Sequence, residues 1–368
     1  MSETTARDTA ASLEAARAVD AALREAGGGR VAAVRAAYEF GRRVLVVQFV
    51  RGSWLCAATV DPETGEVTSI VDEGLPSAPP GTAAVAGPPV TTRLGFRTVW
   101  DIRAADDDPG LVYAATDAGV GVVRLRSDIG WTLTVEDHHT TGFGATRQVV
   151  PVPGGVVGGT ADGRVFRLDA AGRVGWEIRV PAAPHTATAD AAGTRVLVAT
   201  NAGALELDAR TGQFLGLFGG PVRAAAYLSN GDRVLAGHRG ELLVVTPAGQ
   251  PRWCLPQGEF PERLWVHDDR VYVAGEGGLK EIVVGEGVVA RWSAPAAESV
   301  ESAVVVDGWV FTCAGGTRLE RHGYATAGYH GPVPEAYANP EVIAVARAGD
   351  RPWLVAGHRD GLLSARQV

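Results

Sequence analysis

The chain has 368 residues, 46% of them apolar, with a formal net charge of −8 and a pI near 5.5. No Lys/Arg run of the kind that displaces counterions from a phosphate backbone is present, which excludes nucleic acid as a partner; no apolar run reaches the ~18 residues of a membrane span. Cys56, Cys254 and Cys313 are odd in number and widely spaced, which excludes a disulfide framework and a thiolate zinc site.

Lys280 is the single lysine among 34 basic residues, a composition of the GC-rich, actinobacterial-like bacterial type. Residues 1–30 lack the apolar core of a signal peptide, so a cytoplasmic, monomeric protein is expected. In chain order, the first predicted element is an amphipathic helix over 12–29. Ser12 is its N-cap, Leu13, Ala16, Val19 and Leu23 form one face, and Gly27–Gly29 end it. Four strands follow, over 30–40, 42–50, 53–61 and 66–71, and residues 1–72 read as a small α+β module. Residues 73–89 are a Pro/Gly/Ala-rich linker. The alternative is that 30–72 form an additional blade of the repeat described next.

From residue 112 onward one pattern recurs seven times: VYAATDAG (112–119), VVGGTADG (156–163), VLVATNAG (196–203), RVLAGHRG (233–240), VYVAGEGG (271–278), VFTCAGGT (310–317) and WLVAGHRD (353–360). Each is an apolar strand, a small pair, one polar residue and a Gly-containing turn, repeating every ~40 residues. An apolar run precedes each copy and two short strands follow it, which makes four strands per repeat. Blades of this size bury both faces only by stacking in a ring, so the fold class is all-β, a seven-bladed β-propeller over 83–368. The last copy ends at residue 368 with room for only three strands. A strand from 83–94 is predicted to supply the fourth and close the ring; its prolines suit an outer edge.

RVLVATNAGALELDARTGQFLGLF (195–218) and VVGGTADGRVFRLDAAGRVGWEI (156–178) resemble the WD/PQQ-like repeats of quinoprotein-type propellers, with their strand, turn, strand, D-x-x-T-G and aromatic strand. The resemblance covers about 85–368 and implies the fold. It implies no pyrroloquinoline quinone (PQQ), because the vicinal cysteines and the cofactor and calcium ligands are missing. The N-terminal module, with VDPETGEVTSI (60–70), is similar to small PepSY-like domains, which implies a binding or inhibitory role.

His238 and His358 fall in equivalent turns three blades apart, too far apart to share a metal ion; each is expected to bond within its own blade. The stretch 135–147 is read as a loop between blades one and two. Its Asp137, His138 and His139, together with His185, are the candidates for a metal or acid–base site, with Glu298 and Glu301 as a weaker carboxylate pair. A further column lies just before the innermost strands: Arg97, Arg147, Arg223 and Arg263, with Glu301 and Glu341 in the last two blades. These predict a channel mouth that is basic on one side and acidic on the other, where guanidinium groups clamp an anion. Two functions follow. The first is a binding or scaffold protein that takes a protein, peptide or small anionic ligand at this mouth. The second is an enzyme of secondary metabolism (a lyase, hydrolase or cyclase) that uses His138, His139, His185 or Glu301 there, with or without a metal.

Overall fold

A strand covered on both faces reads as an unbroken apolar run, because successive side chains point to opposite sides and both sides must be dry. The recurring second strands behave this way: Leu111–Thr116 and Gly155–Thr160 are buried at every position. In the computed structural model, residues 3–26, 30–39, 42–51, 54–74, 86–95, 98–127, 131–139, 142–256, 260–267, 269–276, 278–284, 288–294, 299–306, 309–314, 318–323, 329–332, 340–349 and 351–368 are described. Among them are one helix, Glu3–Glu25, and eight four-stranded antiparallel sheets, so the fold is all-β apart from that helix. No described helix is long and apolar enough to cross a membrane.

We name the sheets N (residues 30–74), I (99–139), II (146–179), III (184–218), IV (222–256), V (261–294), VI (300–332) and VII (340–367). In sheets N to VI the four strands are consecutive in the chain. Sheet VII holds Pro340–Ala348, Arg351–His358 and Leu362–Gln367 and takes its fourth strand, Ala86–Arg93, from the N-terminal side. The register pairs Val90 with Ala365 and Thr92 with Leu363. Pro88 and Pro89 lie on this outer strand, where a missing N–H leaves no central ladder broken. The rest of the predicted linker, 75–85, lies outside the described residues, as do Gly27–Gly29, Arg97, Glu298 and Gly316.

The first strands of sheets I to VII pack against one another in order, and that of VII packs against that of I. The core is divided accordingly, with one buried cluster between each neighbouring pair. Val156 joins the cluster shared with sheet I, and Val157 joins the one shared with sheet III. Sheets VII and I share Val342, Trp353, Val355, Val99 and Val112, capped by Leu94. The same alternation puts Leu235 between III and IV and Val234 between IV and V.

Turn chemistry explains why the repeat is visible. The glycines that close the second-strand turns, Gly119, Gly163, Gly203, Gly240, Gly278 and Gly361, all have positive φ. Thr116 and Thr200 each donate a hydroxyl hydrogen bond to the carbonyl three residues on, Gly119 and Gly203. The aromatic fourth strand also has a fixed use. Trp176 of sheet II donates its indole N–H to the Ala209 carbonyl of sheet III, 3.1 Å away. Its ring lies on Gly212, where any Cβ would clash.

The helix begins nine residues before the predicted start, so Ser12 lies inside it rather than at its cap. Its buried face is Ala18, Ala22 and Ala26, flanked by Val19 and Leu23, whereas Ala16 is exposed. These small side chains let the helix sit close on sheet N, against Val47, Phe49, Cys56 and Ala58. The first strand of sheet N lies beside the outermost strand of sheet V, Val288–Ala294, away from the set of first strands.

Candidate functional site

All seven first strands break register with their neighbour at the same place. The ladder skips one residue in each: Trp100, Arg147, His185, Arg223, Glu262, Glu301 and Glu341. A bulge leaves that residue out of the pairing and re-aims its side chain. Four of the six residues of the predicted column are in this set: Arg147, Arg223, Glu301 and Glu341. In sheet V the bulged residue is Glu262, and Arg263 sits one place further on, paired with Ala274. Sheets I and III contribute Trp100 and His185, which the charge column passed over.

Residues from the second-strand turns hold several of these side chains. The Trp100 indole donates to Asp117 (2.7 Å), His185 Nε2 bonds Asn201 Oδ1 (2.8 Å), and Arg359 donates to Glu341 (3.1 Å). Arg359 belongs to the second A-G-H-R segment, so there the arginine serves the site. The preceding His358 is buried and bonds Ser364 within its own sheet, as expected of a structural turn residue. His238 differs: its ring packs edge-on to His185 and Phe260, and its buried Nε2 has no hydrogen-bond partner.

Arg223 connects sheets III, IV and V. It donates to His185 Nδ1 (2.9 Å) and to Glu262 (2.7 Å), and its guanidinium lies over Phe260. A guanidinium only donates, so His185 Nδ1 is the acceptor and Nε2 carries the proton. Burial, opposed by the Asn201 bond and reinforced by the Arg223 and His238 charges, holds the His185 pKa below its ordinary value. His185 is therefore a neutral positioning group at pH 7. Arg147 lies flat on Trp100, 3.4 Å from the ring centroid, as a cation–π pair.

In five of the seven first strands the next residue belongs to a second layer that ties first strands together. Asp101 accepts from the Val149 N–H, Gln148 donates to the Pro184 carbonyl, and Thr186 donates to the Arg223 carbonyl. Ser302 exchanges hydrogen bonds with Ile343. Arg263 belongs to this layer but reaches to sheet I, where it donates to the Trp100 carbonyl (3.3 Å) and stands 3.8 Å from Asp101. It lines two cavities. One, of about 350 Å³, lies among the bulged residues and includes Trp100, Arg223, Glu262, Glu301, Glu341 and Arg359. The other, of about 710 Å³, is lined by the first strands of sheets I, III, IV, V, VI and VII.

Glu301 and Glu341 come from adjacent sheets and share a hydrogen bond. Burial, that bond and the Glu341 charge push the Glu301 pKa up to about 7. Two carboxyls this close hold one proton between them. The folded chain retains this proton over a range where the unfolded chain, with a carboxyl near 4.5, has lost it. The resulting stabilisation is present below pH ~4.5 and lost as pH rises through 7. Glu301→Gln, which never ionises, is expected to gain about 1 kcal/mol on wild type between pH 5 and pH 8, a figure reduced for solvent access. Urea unfolding at the two pH values measures this gap.

The predicted loop at 135–147 is instead largely strand. Asp137, His138 and His139 end the outermost strand of sheet I, Trp131–His139. Of the three, Asp137 faces water, whereas His139 is mostly covered, its ring against Gly172. Asp137 is 62% exposed, His138 Nε2 bonds Thr116 Oγ1 (3.2 Å), and His139 Nδ1 stands 3.5 Å from Asp137. Burial lowers the His138 pKa, with His139 adding to the effect and Asp137 opposing it. His185 has the separate partners described above. Among the described residues, no group of three or more His, Cys, Asp or Glu is arranged to hold a metal ion. The chain matches no known family model and no curated protein.

Proposed function

We propose that sheets I to VII are the blades of one seven-bladed β-propeller over residues 83–368, preceded by a small α+β module over 1–72. Three observations support the ring: the order of packing among first strands, the core cluster shared by VII and I, and the recruitment of Ala86–Arg93 into sheet VII. Trp176 resting on the D-x-x-T-G turn of sheet III supports the WD/PQQ-like repeat type. The helix packed on a four-stranded meander supports the PepSY-like reading of the module.

On this fold the protein binds a peptide or small anionic ligand at the channel mouth. The observation that carries this reading is the set of seven bulged residues, since a bulge repeated in every first strand turns seven side chains out of the ladder at one level. Arg223 and Arg263 share the mouth cavity, and charged hydrogen bonds to a carboxylate are worth about 1.5–3 kcal/mol each. Titration calorimetry with an acetylated Asp/Glu peptide and with simple dicarboxylates is the test. Arg263→Gln is expected to weaken binding about tenfold or more, and unchanged affinity in this variant removes the proposal's support.

A second reading is catalysis at the same mouth. The observation that favours it is Glu301, whose pKa near 7 suits proton transfer at neutral pH. A lyase, hydrolase or cyclase reaction would then lose most of its rate in Glu301→Gln.

A further inference from the structure

The mouth cavity presents two opposite unmet needs. On one wall, Arg263 is a largely buried cation whose Nη1 has no hydrogen-bond partner. Its closest carboxylate oxygen is Asp101 Oδ1, at 3.8 Å, which stands nearer still to Arg103 Nε (3.5 Å), while Asp101 Oδ2 accepts from the Val149 N–H. An unpaired donor on a desolvated guanidinium is satisfied best by an anion. On the other side of the charge balance, the carboxyls of Glu301 and Glu341, from the bulges of adjacent sheets VI and VII, line the same cavity together, and each raises the need for a proton or a cation between them. The remaining charges facing Glu301 are Glu262, which is paired with Arg223, and Arg359, which is paired with Glu341. Cys313, buried beneath the pair, is kept as a thiol by its burial and by the two carboxyls. No cation faces Glu301 without a carboxylate of its own among these groups, so the proton fills the place of one.

Resting on the mouth-binding reading above, we propose that this cavity holds a small amino-acid zwitterion, its carboxylate on Arg263 and its ammonium between Glu301 and Glu341, with release of the proton the two carboxyls share. The volume of about 350 Å³ suits a molecule of that size, and Trp100, Val99 and Val342 supply an apolar wall for a side chain. Atoms balance simply: the Glu301 O–H bond breaks, its proton passes to solvent, and the ammonium N–H groups donate to both carboxylates.

The test is titration calorimetry on the full-length protein, with glycine, the other common L-amino acids, β-alanine and γ-aminobutyrate as probes, each repeated as its N-acetyl and carboxamide derivatives. A free amino acid is expected to bind about tenfold or more tightly than either of its blocked forms. Repeating the titration in two buffers of different ionisation enthalpy counts protons. Close to one is expected to leave per ligand at pH 6, about half at pH 7 and almost none at pH 8. Affinity accordingly rises with pH up to about 7 and then flattens. Glu301→Gln is expected to abolish both the proton release and the pH dependence; the blocked probes need no variant, so they decide the matter even if this substitution unfolds the chain. Equal binding of N-acetyl and free forms, or binding without proton release, overturns the zwitterion and leaves anion binding at the mouth standing. No binding by any free amino acid at 10 mM overturns it as well. Failure of the zwitterions and of every anionic probe together overturns the mouth-binding reading with it.

Discussion

Arg233→Met is expected to lose about 3–5 kcal/mol of stability, close to half of what a folded domain typically has. Arg233 in sheet IV and Glu206 in sheet III are 2% and 3% exposed, and the guanidinium donates to both carboxylate oxygens at 2.7 Å. Its Nη1 donates to the Thr246 carbonyl, its face lies 4.2 Å from the Phe218 ring centroid, and the Tyr227 hydroxyl donates to the same carboxylate. Burial and the Glu206 charge push the Tyr227 pKa far up, so the phenol stays a donor at any working pH. Removing the arginine leaves Glu206 charged beside the apolar cluster of Leu197, Ala204 and Leu235, with the neutral Tyr227 hydroxyl as a donor and the exposed Arg195, at 3.9 Å, as its nearest cation. The penalty is that of a stranded charge rather than of a lost attraction. The double variant Glu206→Leu/Arg233→Met is therefore expected to recover most of the loss. Urea unfolding of wild type, both singles and the double variant decides: a double that loses the sum of the two single losses would mean that the pair is not coupled.

That ion pair was not legible in the sequence, and the reason is instructive. In ALELDAR (204–210) the alternation Leu205, Glu206, Leu207 looks like a strand with one face in water. In a stack of sheets both faces are covered, so a charged residue on the second face must have a buried partner, here 27 residues away. The same geometry made the second strands easy to find, because positions buried on both sides leave unbroken apolar runs punctuated by positive-φ glycines. Among the outer strands, Phe214–Phe218 shows itself by its aromatic residues, whereas Trp131–His139 has little apolar alternation to show and was taken in part for a loop.

At the mouth, charge and position were enough to pick out Arg147, Arg223, Glu301 and Glu341, but not to fix the frame in sheet V. Pro261, Glu262 and Arg263 offer two adjacent charged residues, and only the register shows that the bulge falls on Glu262. His185 was singled out for its ring nitrogens, whereas its place among the bulged residues could have been found by aligning PHTATA (184–189) with VRAAAY (222–227). The reach of Arg263 to Trp100 spans 163 residues of sequence and no local pattern encodes it.

Removing residues 1–94 is expected to leave a chain that no longer folds as a monomer, whereas removing 1–74 is expected to lower the melting temperature by only about 5 °C. The two deletions differ by residues 75–94, whose described part is the strand Ala86–Arg93 and Leu94 at its end. That strand covers the otherwise open edge of Leu362–Gln367, and Leu94, 5% exposed, caps the cluster between sheets VII and I together with Val90. Burial of one leucine and part of a valine contributes about 2–4 kcal/mol, and each ladder hydrogen bond about 0.5–1.5 kcal/mol more. The sum is comparable with the whole stability of a domain, and the exposed edge invites pairing between chains. The helix and sheet N have their own core in Ala22, Val47, Phe49 and Ala58, so their loss exposes only the outer strands they lie against. Size-exclusion chromatography and thermal melts compare the two products. A synthetic peptide of residues 84–95 added to the shorter chain is expected to restore a monomeric, cooperatively melting species. A 95–368 chain as stable as 75–368 without that peptide would mean that Ala86–Arg93 closes nothing, and the proposed ring would fall.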